Sequence, residues 1–448
     1  MLGAMRGIGA DPLAFLAAQW RAHGDVVQFP IPSPPTYLVS HPDDVRTVLV
    51  AQARSTSKDT IQYRALSRVT GLGLLTSDGS RWRAHRRVLQ PAFHPRTLPG
   101  VAGHTARAAL RLVDRIQAVG PAGVVDVDAE VMGMALEVVG ESLFGHELGP
   151  VTDMLAEATL TALGEVVATA RMPLRAPAWV PTPGNRRMAG ALAQLDSAVA
   201  GILAQRGPVG VDGHGAGDGD MLDLLLAAPL GPREVRDEIV TFLVAGHETV
   251  ASALTWALVL LGAHPQVADR VADEARAVLG EPSDPGDATA DSAVGIGMNA
   301  LAQLTLARAV VDEAMRLHPP AWLITRRTAV DLELGGSAVP AGSLVILSPW
   351  IVHRHPTAWH DPEAFDPDRF LDPAVASGPA RAAFLPFGAG PRMCIGRDFA
   401  YAEAVLALAM VCRAVRLAPT GPPVRALPLV TIRPDRPALM RVQPRCES

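Results

Sequence analysis

The chain has 448 residues, 49% of them apolar, enough to bury a large core in one big domain or two. Forty basic against 45 acidic residues leave a net charge of −5, which excludes a globally basic nucleic-acid binder and offers no general attraction to anionic membranes. Three cysteines (Cys394, Cys412 and Cys446) are too few and too scattered for a disulfide framework, and no signal peptide or membrane anchor is evident near Met1, so the expectation is a soluble cytoplasmic protein.

Residues 11–24 have the spacing of a short amphipathic helix. Val26–Phe29 and Thr36–Val39 read as strands joined through Pro32, Pro34 and Pro35. Ser40, His41 and Pro42 open a helix to about residue 50, with proline in the first turn. Residues 51–79 lack a clear period and read as a long loop with short helical pieces; such loops are uncommon unless functional. A basic helix starts at Gly79, with Trp82 and Arg86 four apart on one face. It suits either a solvated basic surface or a grip on a carboxylate or phosphate. Helix patterns follow at 98–119, 126–145, 152–170 and 186–206, with Pro173, Pro177, Pro181 and Pro183 breaking the chain before the last. The Gly/Asp-rich stretch 207–220 reads as a mobile surface loop, not a domain boundary. The expectation is one domain over 1–448.

From Pro232 a helix pattern runs to about Gly262, roughly 45 Å long at 1.5 Å per residue. Its second half is apolar all round and should cross the core; the run 250–263 is short for a membrane span. In its middle stand Ala245, Gly246, His247, Glu248 and Thr249. A glycine there costs about 1 kcal/mol against alanine, and a buried acid costs more unless paired. Local rules broken inside a core helix often mark function, although close helix packing beside a satisfied Glu/Thr pair would also account for them.

Residues 264–280 and 301–317 are helical; the segment between them is rich in Asp, Gly and Ala with no period. Glu313 and Arg316, three apart, share a face. Strand patterns follow at 323–325, 331–334 and 344–347, then irregular chain over 353–370, and closing strands near 429–433 and 438–442. Between them lies Cys394, in a loop dense in glycine and proline that runs into a helix pattern from Phe399 to about Val415. A nearby helix N-terminus favours a thiolate. Gly388, Gly390 and Gly396 would let the backbone approach something flat or bulky. A thiolate so placed is a metal ligand or a nucleophile.

Four spaced motifs together resemble the cytochrome P-450 family of haem-thiolate monooxygenases, in the style of its soluble bacterial members. Phe387-x-x-Gly390-x-Arg392-x-Cys394-x-Gly396 is similar to its haem-binding loop. Ala245-Gly246-x-Glu248-Thr249 is similar to its oxygen-activation motif. Glu313-x-x-Arg316 with Arg369 resembles its Glu–Arg–Arg cluster, and Trp82-x-x-x-Arg86 its propionate-binding helix. The resemblance spans nearly the whole chain.

It implies a mainly α fold with small β-sheets, and haem b held between the long central helix and the cysteine loop, with the Cys394 thiolate as axial ligand. Phe387 would keep the ligand dry, with Gly388, Gly390 and Gly396 shaping the loop. Arg392, Trp82, Arg86 and Arg326 would hold the propionates, Arg326 being preferred to Arg327. His85 lies off the Trp82/Arg86 face. Ala245 and Gly246 would border the distal face, Gly246 opening the helix for oxygen. Thr249 and Glu248 would pass two protons to dioxygen, Glu248 reaching solvent through water. Val250 stands where the family often has Thr or Ser, and Asp368 where it often has Glu.

Glu313, Arg316 and Arg369 would be structural. A largely apolar small-molecule substrate would touch the 55–79 loop, the 165–190 region, Phe242, Ala245, Trp322–Ile324 and Val430–Thr431. Lacking any flavin or iron–sulfur segment, a monomer would take electrons from a ferredoxin or flavodoxin with an NAD(P)H-dependent reductase. Such an acidic partner would be steered by Arg81, Arg83, Arg87 and Arg397. A peroxygenase, or a haem-thiolate sensor without turnover, is the alternative.

Overall fold

The computed structural model describes residues 11–31, 33–145, 152–171, 177, 179–206, 220–281 and 298–445. The expectations for 207–219, Pro173, Cys446, part of 165–190 and most of the segment between 280 and 301 lie outside the described residues.

The expected class holds: long helices with four small sheets. The longer helices are α1 (Pro12–His23), α2 (Ile61–Thr70), α3 (Gly79–Leu89), α4 (Leu98–Ala118), α5 (Val127–Phe144), α6 (Thr152–Arg171), α7 (Pro183–Arg206), α8 (Pro232–Ala263), α9 (Pro265–Leu279), α10 (Thr305–Leu317) and α11 (Arg397–Ala414). Their ends follow local chemistry. Asp11 caps α1 by accepting from the Ala14 amide, Pro12 occupies its first turn, and Gly24 ends it at φ 87°.

The largest sheet joins β1 (Val26–Phe29), β2 (Thr36–Val39), β8 (Leu344–Leu347), β5 (Ile324–Thr328) and β3 (Thr56–Ser57) in that order, with β2 and β8 parallel. A second places β12 (Leu439–Pro444) between β4 (Val124–Asp126) and β9 (Val415–Pro419). Two hairpins complete the set: β6 (Leu332–Leu334) with β7 (Ser337–Val339), and β10 (Ala426–Pro428) with β11 (Ile432–Pro434).

Several elements depart from expectation. The supposed long loop 51–79 holds strand β3 and the ten-residue α2, stopped by Gly71 at φ 60°. The helix expected to run to residue 50 becomes π-helical over Thr47–Ala51. Strands β4 and β9 are short edges of a sheet closed only by the C-terminal β12, so no local alternation announces them. The strand expected near 429–433 is a hairpin whose turn occupies 429–431. A seven-residue helix, Met221–Ala227, was too short to show a period; Asp220 and Asp223 form its capping box.

Helix α8 organises the core. Pro232 starts it, and the Glu234 carboxylate accepts from the Gly231 amide. It is long and apolar enough to cross a membrane, but 72% of its apolar window is buried, which makes it a core helix. It packs against α5, α10 and α11. The Trp256 ring stacks on His318 with centroids 3.8 Å apart, seating α8 on the stop that ends α10.

Candidate functional site

The cysteine loop is fastened by its own backbone. The Gly388 amide donates to the Leu385 carbonyl, and the Cys394 amide to the Phe387 carbonyl, both at 3.0 Å. Gly388 turns at φ 69° with open space around it. Gly390 meets protein: a Cβ there would lie 2.2 Å from the Leu49 carbonyl oxygen. Its missing side chain lets the loop approach the π-helical segment. Gly396 has ordinary backbone, and a Cβ there would sit 3.5 Å from the Phe93 ring. Phe387 packs on Tyr401 at 4.9 Å, and Tyr401 donates to Asp312 at 2.6 Å beneath the Arg308 guanidinium. Cys394 is accessible at its surface yet closely surrounded by protein. Burial pushes its thiol pKa up; the Gly396 amide, Arg86 and Arg397 draw it part of the way back.

Trp82, Arg86 and Arg392 converge as expected. The Arg392 guanidinium lies 4.4 Å from the Trp82 ring centre, Arg392 pairs with Asp78, and Arg86 donates to the Met393 carbonyl at 3.0 Å. Arg326 is buried and donates to Tyr63 Oη at 3.3 Å; Arg327, on the opposite face of β5, does not. One member was missed. Lys58 is 8% exposed, donates to the Leu75 carbonyl at 2.8 Å, and lies over the Tyr63 ring. Its pKa falls well below the usual lysine value, first through burial and then through Arg326, Arg392 and Arg86. Asp78 is the one carboxylate paired with any of these four cations among the described residues. Such a rim fits a dianionic group, and with the sulfur beside it the residues present fit haem with its two propionates. His85 belongs elsewhere: it is buried and bonded to Glu238.

The Glu–Arg–Arg cluster forms as drawn. Arg316 grips Glu313 in two places, at 2.6 and 2.9 Å, and Arg369 Nε reaches the same carboxylate at 3.1 Å. Arg316 also donates to the carbonyls of His353, Pro362 and Ala364. His353 carries the link onward, its Nε2 accepting from the Leu385 amide at 2.9 Å. Burial holds its pKa at about 3, so this ring is neutral and can accept. No motif marked His353. Asp368 binds Arg270 at the surface, away from the cluster.

On α8, Ala245 and Thr249 are half-buried, one turn apart, while the residues around them are mostly buried. Thr249 Oγ1 donates to the Ala245 carbonyl at 2.9 Å. Glu248 is 2% exposed and accepts from Thr431 Oγ1 at 3.0 Å, facing neither Thr249 nor solvent. Burial pushes its carboxyl up to about 7. Gly246 packs closely: a Cβ there would lie 2.8 Å from Val139 Cγ2 on α5. Phe242 is buried and stacks on Phe93 at 5.4 Å, and Phe93 also touches Phe399 and flanks Gly396, so this ring ties α8 to the cysteine loop. Ile324 and Val430 are half-buried, whereas Trp322 is anchored to the Leu429 carbonyl and Thr431 to Glu248.

The chain after α2 lies directly on α8. The Leu72 amide donates to Asp237 at 2.9 Å and the Leu74 amide to Glu238 at 3.1 Å. A Cβ at Gly71 would fall 2.0 Å from Asp237 Cγ, and one at Gly73 2.2 Å from Thr241 Oγ1. The expected basic patch divides. Arg81 pairs with Glu234, and Arg397 with Asp398. Arg83 and Arg87 instead line an open cleft of about 650 Å³ with Arg86, His94 and Arg96.

Comparison with known proteins gives a consistent result. The profile described as Cytochrome P450 matches residues 7–439. The chain is 36% identical over 427 residues to cyclooctat-9-en-7-ol 5-monooxygenase of Streptomyces melanosporofaciens, covering 94% of this chain and 88% of that protein. It is 35% identical over 411 residues to pentalenene oxygenase of Streptomyces avermitilis, covering 89% and 85%. The crystal structure of CYP175A1 from Thermus thermophilus superposes with a TM-score of 0.78 at 33% identity, covering 98% of this chain and 96% of that one.

Proposed function

The chain belongs to the cytochrome P450 family and is a cytochrome P450 monooxygenase, and we propose that its substrate is an apolar, cyclic, terpene-class hydrocarbon or alcohol. The observation that carries the cofactor assignment is the convergence of Cys394 with the buried Lys58 and Arg326 and the half-buried Arg86 and Arg392, which have one paired carboxylate among the described residues. The substrate class is supported by the names of the two Streptomyces relatives and by the apolar side chains at the half-buried positions Ala245, Ile324 and Val430.

Haem b, when bound, supplies dioxygen activation and oxygen transfer. The residues of the chain do the rest. Cys394 would bind the haem iron through its sulfur, and the loop's backbone bonds hold the residue in place. Lys58, Arg86, Arg326 and Arg392 would hold the propionates, with the Arg392 guanidinium over the Trp82 ring. Phe387 excludes water beside the sulfur. Thr249 presents a hydroxyl at the cleft, and Glu248, titrating near neutrality, can take up and release protons there once its carboxyl turns from Thr431. Electrons come from a ferredoxin or flavodoxin and its NAD(P)H-dependent reductase. The acidic partner docks on the cleft of Arg83, Arg87, His94 and Arg96.

The test has two parts. The reduced protein with carbon monoxide should give the red-shifted Soret band of thiolate-ligated haem. Spectral titration should then show cyclic terpenes and their alcohols displacing the iron's water in preference to linear fatty acids. A preference for linear acids would overturn the substrate class. Full turnover on peroxide alone, with none on dioxygen and reductase, would overturn the electron route.

A further inference from the structure

One stripe of α8 is polar although it is buried. Glu248, Ser252, Thr255 and Trp256 recur at helical spacing, and each bonds outside the helix. Thr431 Oγ1 donates to Glu248 Oε1 at 3.0 Å. Ser252 Oγ and Trp256 Nε1 both donate to the Ile432 carbonyl, at 2.7 and 3.2 Å. Thr255 Oγ1 donates to Asp128 Oδ1 at 3.0 Å. Arg433, next on β11, donates to Asp128 Oδ2 at 2.6 Å. The long helix, the C-terminal hairpin and the start of α5 are thereby locked together, with Glu248 at one end and the Asp128–Arg433 ion pair at the other.

Read alone, that pair is a strut. Two features set it apart. Arg433 is 6% exposed and Glu248 2%, so water screens the charge between them poorly. Glu248 also faces the hairpin, while Thr249 is satisfied by its own helix. To pass a proton, the carboxyl must turn from Thr431 toward the cleft, and its charge governs how readily it leaves Arg433.

We propose that Asp128 and Arg433 are positioning residues for proton delivery: their ion pair fixes the hairpin whose Thr431 holds the Glu248 carboxyl, and the two charges govern how readily that carboxyl gains or gives up its proton. This rests on the reading of Glu248 as the acid that supplies protons. The charged groups facing Glu248 are Arg433 from the hairpin and Asp128 from α5. Its neighbour His247 is buried and neutral, held at about 4. Burial lifts Glu248, Arg433 and the Thr431 bond lower it, and Asp128 raises it, so the opposing influences leave the acid poised near neutrality.

The experiment is an infrared pH titration of the haem-loaded protein, following the protonated carboxyl band that Glu248→Gln abolishes. Arg433→Met should raise the midpoint by about one unit, a tenfold gain in proton affinity. Arg433→Lys should restore it, and Asp128→Asn should lower it. Opposite displacements support the proposal; no displacement, or displacement in the same direction, overturns it. If Arg433→Met does not accumulate, Asp128→Asn decides alone: a lowered midpoint supports the proposal, and an unmoved or raised one overturns it. The titration reads a carboxyl, not turnover, so failure of the monooxygenase reading would show separately in the carbon monoxide spectrum and the substrate assay.

Discussion

Glu313→Ala probes the joint that carries the cysteine loop. The substitution removes a carboxylate gripped twice by Arg316 and once by Arg369, and takes away the acceptor of the Asp366 amide. Both glutamate and Arg316 are 0% exposed, so water cannot replace the lost partner. Arg316 keeps three carbonyl acceptors but no counter-charge. Breaking a buried pair from one side costs about 3–5 kcal/mol, and the part-buried Asp366 amide loses its acceptor besides. Against a total stability of about 5–15 kcal/mol, that is a fifth or more of the folding free energy. The loss should reach the cofactor, because Arg316 holds the His353 carbonyl and His353 holds the Leu385 amide at the head of the loop. Expected is a variant that accumulates poorly and carries little haem. Glu313→Gln should be milder, since its amide oxygen still accepts. The assays are haem per polypeptide, from the pyridine haemochrome, and urea denaturation. A Glu313→Ala protein with full haem content and stability within about 1 kcal/mol of the parent would refute the reasoning.

Further outcomes follow from other residues. Thr249→Ala should load haem normally but divert reductant to peroxide; unchanged product per NAD(P)H would sink its role. Glu248 sits at about 7 against an ordinary 4.5, so the folded state keeps a proton that the unfolded state has released. Stability should therefore fall as pH rises from about 4.5 to 7, by up to about 3 kcal/mol, and then level off. Glu248→Gln should lack that slope, and identical pH–stability curves for the two proteins would exclude it. Charge reversal at Arg83 and Arg87 should slow reduction by an acidic partner, most at low salt, and equal rates there would rule out this face. His353→Leu leaves the Leu385 amide without its acceptor and should speed haem transfer to a scavenger globin, an effect absent if the loop is held elsewhere.

What could be read in the sequence were side chains whose partners lie within a turn or a loop. Glu313 and Arg316 share a helix face three residues apart, and Trp82 and Arg86 do so at four. The rest depended on contacts across the chain. Lys58 joins the rim because β3 pairs with β5, bringing it to Arg326. His353 looks like one more irregular histidine until Arg316 and the Leu385 amide are seen on either side of it. Close helix packing was one of the two readings of Gly246, but its partner, Val139 on another helix, leaves no local trace. Asp128 and Arg433 are 305 positions apart, beyond any local pattern. Strands β4 and β9 escaped for the same reason, being defined by a C-terminal strand that pairs with both.

The seating of residues 71–74 on Asp237, Glu238 and Thr241 bears on how this protein could be redesigned. One helix carries both that seam and, further along, the bonds to the C-terminal hairpin. A library that varies the 70–77 segment to admit new substrates would find Gly71 and Gly73 closed to every larger residue unless α8 is varied with them. Changes along α8 that reach Glu248 would in turn disturb its bond to Thr431 on the hairpin. Substrate range and coupling efficiency should therefore trade against each other in directed evolution, and gains should come from paired changes on the two sides of the seam.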